Sequence, residues 1–455
     1  MRDVPSHRRE RALVVGVAIT LTLLRSVVLV FFEQSKFDSD QALIGLMAAH
    51  LVEGRALPIF TYGQPYMLGL EAWMAAPFFL VGGETVAMLK APLLLVNLAI
   101  AALLPLALER ASGLRPAVAL LPALFFILAP PGTAGLFLEA SGGNVEPLLY
   151  VLVLWLIQRR PLIFGAVLAV GILHREFTVY AVAALVLLRV ADRSLFQPRS
   201  WRAVLHGGVS FAAVWQAIYL LKQFSSIDGP GTSVEWGSLR PESNLAAVFH
   251  RVCVDPAQLG SGAWLIVSSH MPDLLGGTTR DLVSFGINSS VSQGAGWLGV
   301  MLGLASTLVL GRVIWILVST RMRPWQPPLQ FAVYLLAVGV LSAGAYALLR
   351  CGVIGTGTMR YSLLALFGAV GLSALFLRVE PRRWLRAMGA CVILVWAAQS
   401  GWDHARLAAE YVNHPPSNPR RVLARYLVQS GVRFAYADFW VAYSTTFLTG
   451  ERVIV

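Results

Sequence analysis

Charge is scarce in this chain. Only 13% of its 455 residues are Asp, Glu, Lys or Arg, against about 25% in an ordinary soluble domain. Hydrophobic residues make up 57% and the mean hydropathy is +0.67, which argues against a soluble cytosolic enzyme. Lysine occurs only at Lys36, Lys90 and Lys222, so arginine supplies nearly all the positive charge. Cysteine is as rare. Cys253, Cys351 and Cys391 make neither a CxxC pair nor a dense disulfide framework. Three unpaired thiols and a Cys253–Cys351 bridge between outer loops stand as alternatives. Internal repeats and low-complexity tracts are absent too.

What is abundant is apolar sequence punctuated by arginine. The 36 Lys+Arg against 24 Asp+Glu give a net charge of +12 and a pI near 10.0. That balance would suit nucleic acid, but the basic residues sit in short clusters between long apolar runs rather than in a patch interleaved with aromatics. No nucleic-acid partner is expected; membrane lipids are.

A helix needs about 20 mostly apolar residues to cross a bilayer. Eleven candidates follow, near residues 12–32, 84–108, 115–131, 145–158, 161–173, 177–191, 203–222, 294–318, 329–349, 359–377 and 386–401. The first is longer than the core of a signal peptide and lacks a small-residue cleavage site, so it is expected to be an uncleaved span with a cytoplasmic N-terminus. The even-numbered connections carry the arginines: Arg110 and Arg115, Arg159 and Arg160, Arg193, Arg199 and Arg202, Arg321 and Arg323, and Arg378, Arg382, Arg383 and Arg386. Basic loops face the cytoplasm, which leaves the C-terminus on the outer side.

The expected organisation is a transmembrane domain over residues 1–401 and a small α/β tail over 402–455 on the outer face. Within the first part, residues 33–83 form an outer loop with two interfacial or re-entrant helices. One, from Asp40 to Val52, has Ala42, Leu43, Leu46, Met47 and Leu51 on one side; the other runs from Pro65 to Val81 and carries Glu71. Residues 223–293 form a second, long outer loop. In the tail, helices are expected over Arg420–Ser430 and Phe439–Leu448, and strands over Val432–Tyr436 and Arg452–Val455.

Ionisable groups in or beside a membrane are expensive and therefore informative. The densest set falls on the outer side. Asp38 and Asp40 follow the first span; Arg350, Arg360 and the triplet His174-Arg175-Glu176 lie at outer span ends; Glu139 and Glu146 flank a Gly-rich turn; Lys90 lies within the second span, where snorkelling competes with anion binding. Asp38 and Asp40 make a DxD spacing whose hard oxygens would suit Mg²⁺ or Mn²⁺, a spacing common by chance, so no metal ligand is assigned. N-capping of the following helix is the alternative role for Asp40.

Ser39-Asp40-Gln41-Ala42 with Gly45-Leu-Met-Ala-Ala, and Gly63-Gln-Pro-Tyr66-Met-Leu-Gly-Leu-Glu71, resemble the first outer loop of GT-C glycosyltransferases, polytopic enzymes that use polyprenyl-phosphate sugars. Among them are the protein O-mannosyltransferases and the aminoarabinose transferase of lipid A; the residues look more like a bacterial branch patterned SDEAxxGLMAxxI and GQxYMGxLEA. Gln41 stands where that pattern has Glu, with Asp38 close by. The resemblance extends to Gly142-Gly-Asn-Val-Glu146, Met359-Arg360-Tyr361, Tyr436-Ala-Asp-Phe-Trp440 and Leu448-Thr-Gly-Glu-Arg452.

It implies a GT-C-like fold in a bacterial inner membrane, a lipid-linked sugar donor and a hydroxyl acceptor on a glycan, lipid or protein. It also implies Asp40 as the base, with Asp38 beside it, and a phosphate site at Arg360 and Tyr361. Arg175, His174, Glu146, Glu71, Arg350 and Lys90 complete the expected substrate-binding set. Two other readings compete: a transporter or flippase of a lipid-linked or anionic solute, and a polysaccharide polymerase or ligase. A transporter would favour midplane charges and repeated halves, which this sequence does not offer.

Overall fold

The computed structural model describes residues 5–35, 37–222, 259–276, 296–348 and 356–455. It is helical almost throughout, and each of the eleven expected apolar segments carries a helix. In chain order the α-helices among the described residues are α1 (Pro5–Phe31), α2 (Ser39–Val52), α3 (Leu70–Gly82), α4 (Val86–Ser112), α5 (Pro116–Ile127), α6 (Pro131–Leu136), α7 (Glu146–Ile157), α8 (Pro161–His174), α9 (Val179–Ala191) and α10 (Pro198–Lys222). Then come α11 (Leu259–Leu265), α12 (Met271–Leu274), α13 (Trp297–Ser319), α14 (Gln330–Leu348), α15 (Leu366–Val379), α16 (Arg383–Asn413), α17 (Pro419–Gln429) and α18 (Phe439–Leu448).

Among the described residues, six helical segments are long and apolar enough to cross a membrane: Arg8–Phe31, Val86–Ser112, Pro198–Lys222, Trp297–Ser319, Gln330–Leu348 and Thr358–Val379. Two of them turn bare apolar flanks outward: Leu205 on α10 is 66% exposed and Leu308 on α13 is 73% exposed. Water would not tolerate so continuous an apolar surface, whereas hydrocarbon would. The protein is on this ground a helical membrane protein.

The basic start of α1 and the basic ends of α4 and α15 meet at one end of the bundle. Arg11 at the start of α1 grips Glu109 at the end of α4 through two contacts of 2.7 and 3.0 Å, and Arg312 of α13 pairs with Glu380 just beyond α15 at 2.7 Å. Deeper in, Arg25 of α1 is 2% exposed. Its guanidinium donates to Asn97 Oδ1 of α4 at 2.5 Å and to the carbonyl of Phe126, and it lies over the Phe126 and Phe137 rings. Such acceptors make a buried guanidinium tolerable among apolar helices. Lys90 is likewise turned inward, 1% exposed, with Nζ donating to the Leu29 carbonyl at 2.8 Å. It joins α4 to α1 and does not snorkel.

Several local expectations are corrected. The Asp40–Val52 helix is not one-sided: every residue from Gln41 to Ala49 is buried. Its outer flank is covered by α18, so the small residues Ala42, Gly45, Ala48 and Ala49 serve close packing rather than an interface. The second expected loop helix begins only at Leu70, because Gln64–Leu68 is a strand paired antiparallel with Phe60–Thr61. The third span stops at Ile127 and resumes as α6, the chain bending at Ala129-Pro130-Pro131, where proline cannot continue a helix. The segment opening at 359 starts as a 3₁₀-helix, Thr356–Ala365, before α15.

The boundary expected at residue 401 does not exist, since α16 runs unbroken for 31 residues to Asn413. Both tail helices are present, capped by Asn418 and Asp438 side chains. The two expected strands reduce to one parallel bridge between Phe434 and Ile454. Nor is the tail a separate unit. Arg421 clasps Glu33 at 2.7 and 2.6 Å, Ser444 N–H donates to Ser39 Oγ at 3.2 Å, and Phe447 sits between the rings of Phe37 and Phe79. Residues 402–455 are the lid of the 33–83 loop.

Candidate functional site

The end of the bundle opposite the basic cluster collects most of the expected site residues. Asp38 and Asp40, though two residues apart, part company there. Asp38 has extended backbone geometry and its Oδ1 accepts from the Gln41 N–H at 3.1 Å, so it is the N-cap of α2. The capping alternative weighed for Asp40 therefore belongs to Asp38. Asp40, in the first helical turn, instead receives Arg360 Nη1 at 3.1 Å from 320 residues away. The DxD pair does not converge on a common point as metal ligands would.

Arg360 and Tyr361 stand on the 3₁₀-helix that precedes α15. Arg360 Nη2 reaches the Tyr361 hydroxyl at 3.4 Å, and its guanidinium carbon lies 5.3 Å from the Tyr361 ring centre. From another side Arg175, at the C-terminal cap of α8, lies 5.5 Å over the same ring and 5.2 Å over Phe177. It is buried while Glu176 is exposed, so the expected local Arg175–Glu176 pair gives way to an aromatic cradle. Arg175 Nη1 points at Met67 Sδ of the Gln64–Leu68 strand, 3.2 Å away, a weak acceptor. Among the described residues, Nε of Arg175 and Nε of Arg360 are both buried and have no acceptor. Buried donors of this kind are rare and call for an explanation.

Next to Arg175 is a cluster of opposite character. α7 and α8 have 12 and 14 residues, roughly 18–21 Å at 1.5 Å per residue, too short to span a bilayer alone. Their Glu146 and His174 ends are buried inside the bundle, and the Glu146 end is joined to α6 by a non-helical segment, residues 137–145, that is buried throughout. Irregular backbone at such depth must find its partners in the protein. Glu71 of α3 provides two, accepting from the Gly142 N–H at 2.8 Å and the Gly143 N–H at 2.7 Å. Gly142 and Gly143 have φ of +82° and +89°, which only glycine adopts without strain.

One ligand atom each of Glu71, Glu146 and His174 lies within 4.8 Å of the others. The exposures are 2%, 2% and 0%. His174 Nδ1 meets the half-buried Tyr150 hydroxyl at 3.0 Å. Its Nε2 and both oxygens of Glu146 have no hydrogen-bond partner among the described residues.

Asp40, Arg360, Tyr361, Arg175, His174, Glu146 and Glu71 thus form one connected region. Glu139 is nearby, receiving Asn144 Nδ2 at 3.2 Å, whereas Lys90 is committed to helix packing. Arg350, Cys253, Cys351 and the long loop 223–293, apart from 259–276, lie outside the described residues; Cys391 is a free, exposed thiol. Sequence reasoning missed Tyr150 and Phe177. Tyr150 falls four residues after Glu146, on the same helical face, a signal that was available; nothing marked Phe177.

The chain matches no protein-family model and no curated protein.

Proposed function

We propose that this protein is a GT-C-like glycosyltransferase of a bacterial inner membrane, moving a sugar from a polyprenyl-phosphate donor to an acceptor hydroxyl at the outer face. The observation that carries this reading is the pair of buried guanidinium N–H groups, on Arg360 and Arg175, that flank Tyr361 without an acceptor. A phosphate offers acceptors in the planar geometry that arginine satisfies. The basic helix ends at the opposite end of the bundle support a cytoplasmic N-terminus, and the eleven helical segments support eleven crossings, the short ones recessed around the site.

Asp40 and Arg360 then exchange partners during the reaction. At rest they neutralise one another. The arriving donor phosphate takes up Arg360 and Arg175, and Asp40 is released to accept a hydrogen bond from the acceptor hydroxyl. As the hydroxyl oxygen bonds to the anomeric carbon, its proton passes to Asp40. The bond from that carbon to the phosphate oxygen breaks with its electron pair, and the polyprenyl phosphate leaves with its new charge held by the two arginines. Since Arg360 already supplies the positive charge beside Asp40, no metal enters this step.

The direct test is release of free polyprenyl phosphate from a panel of polyprenyl-phosphate sugars by protein in nanodiscs, comparing wild type with Asp40→Asn. Release by wild type alone supports donor class and base together. Release by both keeps the activity and removes Asp40 as base. No release from any donor, with acceptor extract present and lipid binding intact, turns the assignment toward a transporter.

A further inference from the structure

The buried arginine donors account for an anion, but beside them lie buried acceptors that no anion can satisfy. We propose that Glu71, Glu146 and His174 bind a divalent first-row transition ion of the Zn²⁺ or Mn²⁺ kind, tying the ends of α3, α7 and α8 together next to Arg175. Two carboxylates and an imidazole have their ligand atoms within 4.8 Å of one another. Donor atoms sharing one ion at bond lengths of about 2.0–2.2 Å are at most about 4.4 Å apart, so a small inward movement of these side chains brings all three onto one ion.

Two further observations point to a ligand rather than to a chance acidic cluster. Glu146 and His174 are 2% and 0% exposed, yet both oxygens of the one and Nε2 of the other find no partner among the described residues. Unpaired buried acceptors are costly, and a dication between them removes that cost and the repulsion of the two carboxylates at once. The remaining groups are arranged as supports. Tyr150 holds His174 through Nδ1 at 3.0 Å, which with Nδ1 protonated leaves the Nε2 lone pair facing the cluster. The Gly142 and Gly143 N–H groups orient Glu71 while leaving each oxygen a second lone pair. A Cβ on Gly143 would stand 3.3 Å from His174 Nε2, so the glycine keeps the space beside that nitrogen open.

The donor set selects the ion. Ca²⁺ takes 6–8 oxygens and Mg²⁺ mostly water and carboxylate; an imidazole among three protein donors suits Zn²⁺, Mn²⁺, Fe²⁺ or Co²⁺. The site does not depend on the glycosyltransferase assignment, because it is read by metal content without any substrate.

The experiment uses the full-length protein in detergent, purified without chelator and analysed by elemental mass spectrometry. A chelator-treated sample is then titrated with Co²⁺ and its visible ligand-field bands followed. Wild type is expected to retain roughly one equivalent of transition metal and to give Co²⁺ bands, and His174→Ala and Glu146→Gln to lose both. Asp40→Asn should retain both. Tyr150→Phe keeps the ring and loses only the support, so Co²⁺ affinity should fall about 10–100-fold; this variant decides if the other two do not stay monodisperse. Absence of metal and of Co²⁺ bands in wild type overturns the proposal. So does metal undiminished in His174→Ala and Glu146→Gln, or unchanged Co²⁺ affinity in Tyr150→Phe.

Discussion

Asp38 and Asp40 stand two residues apart and have opposite commitments: the first is bound to its own helix through the Gln41 N–H, the second reaches Arg360 across 320 residues. Helix geometry separates them. A residue in N-cap conformation turns its side chain back on the first turn, whereas one inside that turn projects outward. The two carboxylates should therefore respond differently to the same substitutions.

For Asp38, alanine removes a cap and should lower stability by about 0.5–2 kcal/mol, while asparagine, as good a cap, should cost little. Thermal unfolding in detergent checks this, and turnover per folded molecule should stay close to wild type in both. If Asp38→Asn abolished turnover, Asp38 would have to be moved into the chemistry.

For Asp40, the order reverses. Its side chain is 20% exposed and that of Arg360 25%, and a pair still reached by solvent contributes only about 1 kcal/mol. Asp40→Asn should barely move the unfolding midpoint yet abolish release of polyprenyl phosphate. A large loss of stability with residual activity would make the pair structural.

Arg360→Lys keeps the charge and loses the fork. Lysine cannot span Asp40, the Tyr361 hydroxyl and a phosphate together. One charge-assisted hydrogen bond is about 1.5–3 kcal/mol, so donor KM should rise about tenfold or more. Steady-state release assays across donor concentration give the number, and an unchanged KM would remove Arg360 from the phosphate site.

Much of this was legible in the sequence and some of it was not, for physical reasons. The helices of the bundle follow from apolar run length, and the candidate region follows from charges at span ends, where they cost least. What composition hides is depth and partnership. Lys90 reads as an anion or headgroup ligand, but a lysine is as well satisfied by a backbone carbonyl, here that of Leu29, and only the fold decides. The stretch Asp40–Val52 has the spacing of a half-buried helix because the tail that covers its other side is some 400 residues away in sequence. Residues 432–436 and 452–455 have strand-like composition without partners enough to extend past a single bridge.

Gly45 tests that tail packing. Replacing a helical glycine by alanine ordinarily gains about 0.5–1 kcal/mol. Here a Cβ would come within 2.5 Å of the Phe447 ring, which is 4% exposed and held between Phe37 and Phe79, so it cannot swing away. Gly45→Ala should therefore destabilise by about 1–3 kcal/mol, the usual range for overpacking, and Phe447→Leu in the same chain should restore much of it. Unfolding of the single and double variants gives the coupling, and an additive result would mean that α18 does not press on α2.

The far end of the same lid is held by charge and so should respond to pH. His50 on α2 bridges Tyr62 and Glu451, each at 3.0 Å, and Arg55 pairs with both Glu451 and Glu53. Burial alone would raise the Glu451 carboxyl, but the hydrogen bonds from Arg55 and His50 outweigh it and hold it below its ordinary 4.5. Tyr62 is pushed up to about 12, chiefly by burial, and stays neutral. Glu84, facing Glu53 and Glu451, is raised, first by burial and then by those two charges. A carboxylate whose folded-state pKa is lowered stabilises the fold fully above its unfolded value, and that contribution fades as pH falls through the folded one. Glu84 has the opposite sign and works in the same interval, so the two partly offset. The clasp should accordingly be intact at neutral pH and loosen below about pH 4.5, seen as faster proteolysis within Pro419–Leu448. Glu451→Gln should loosen it already at neutral pH and flatten the acid response. Equal proteolysis of both forms across the range would mean that the lid is held by Phe447 and Arg421 alone.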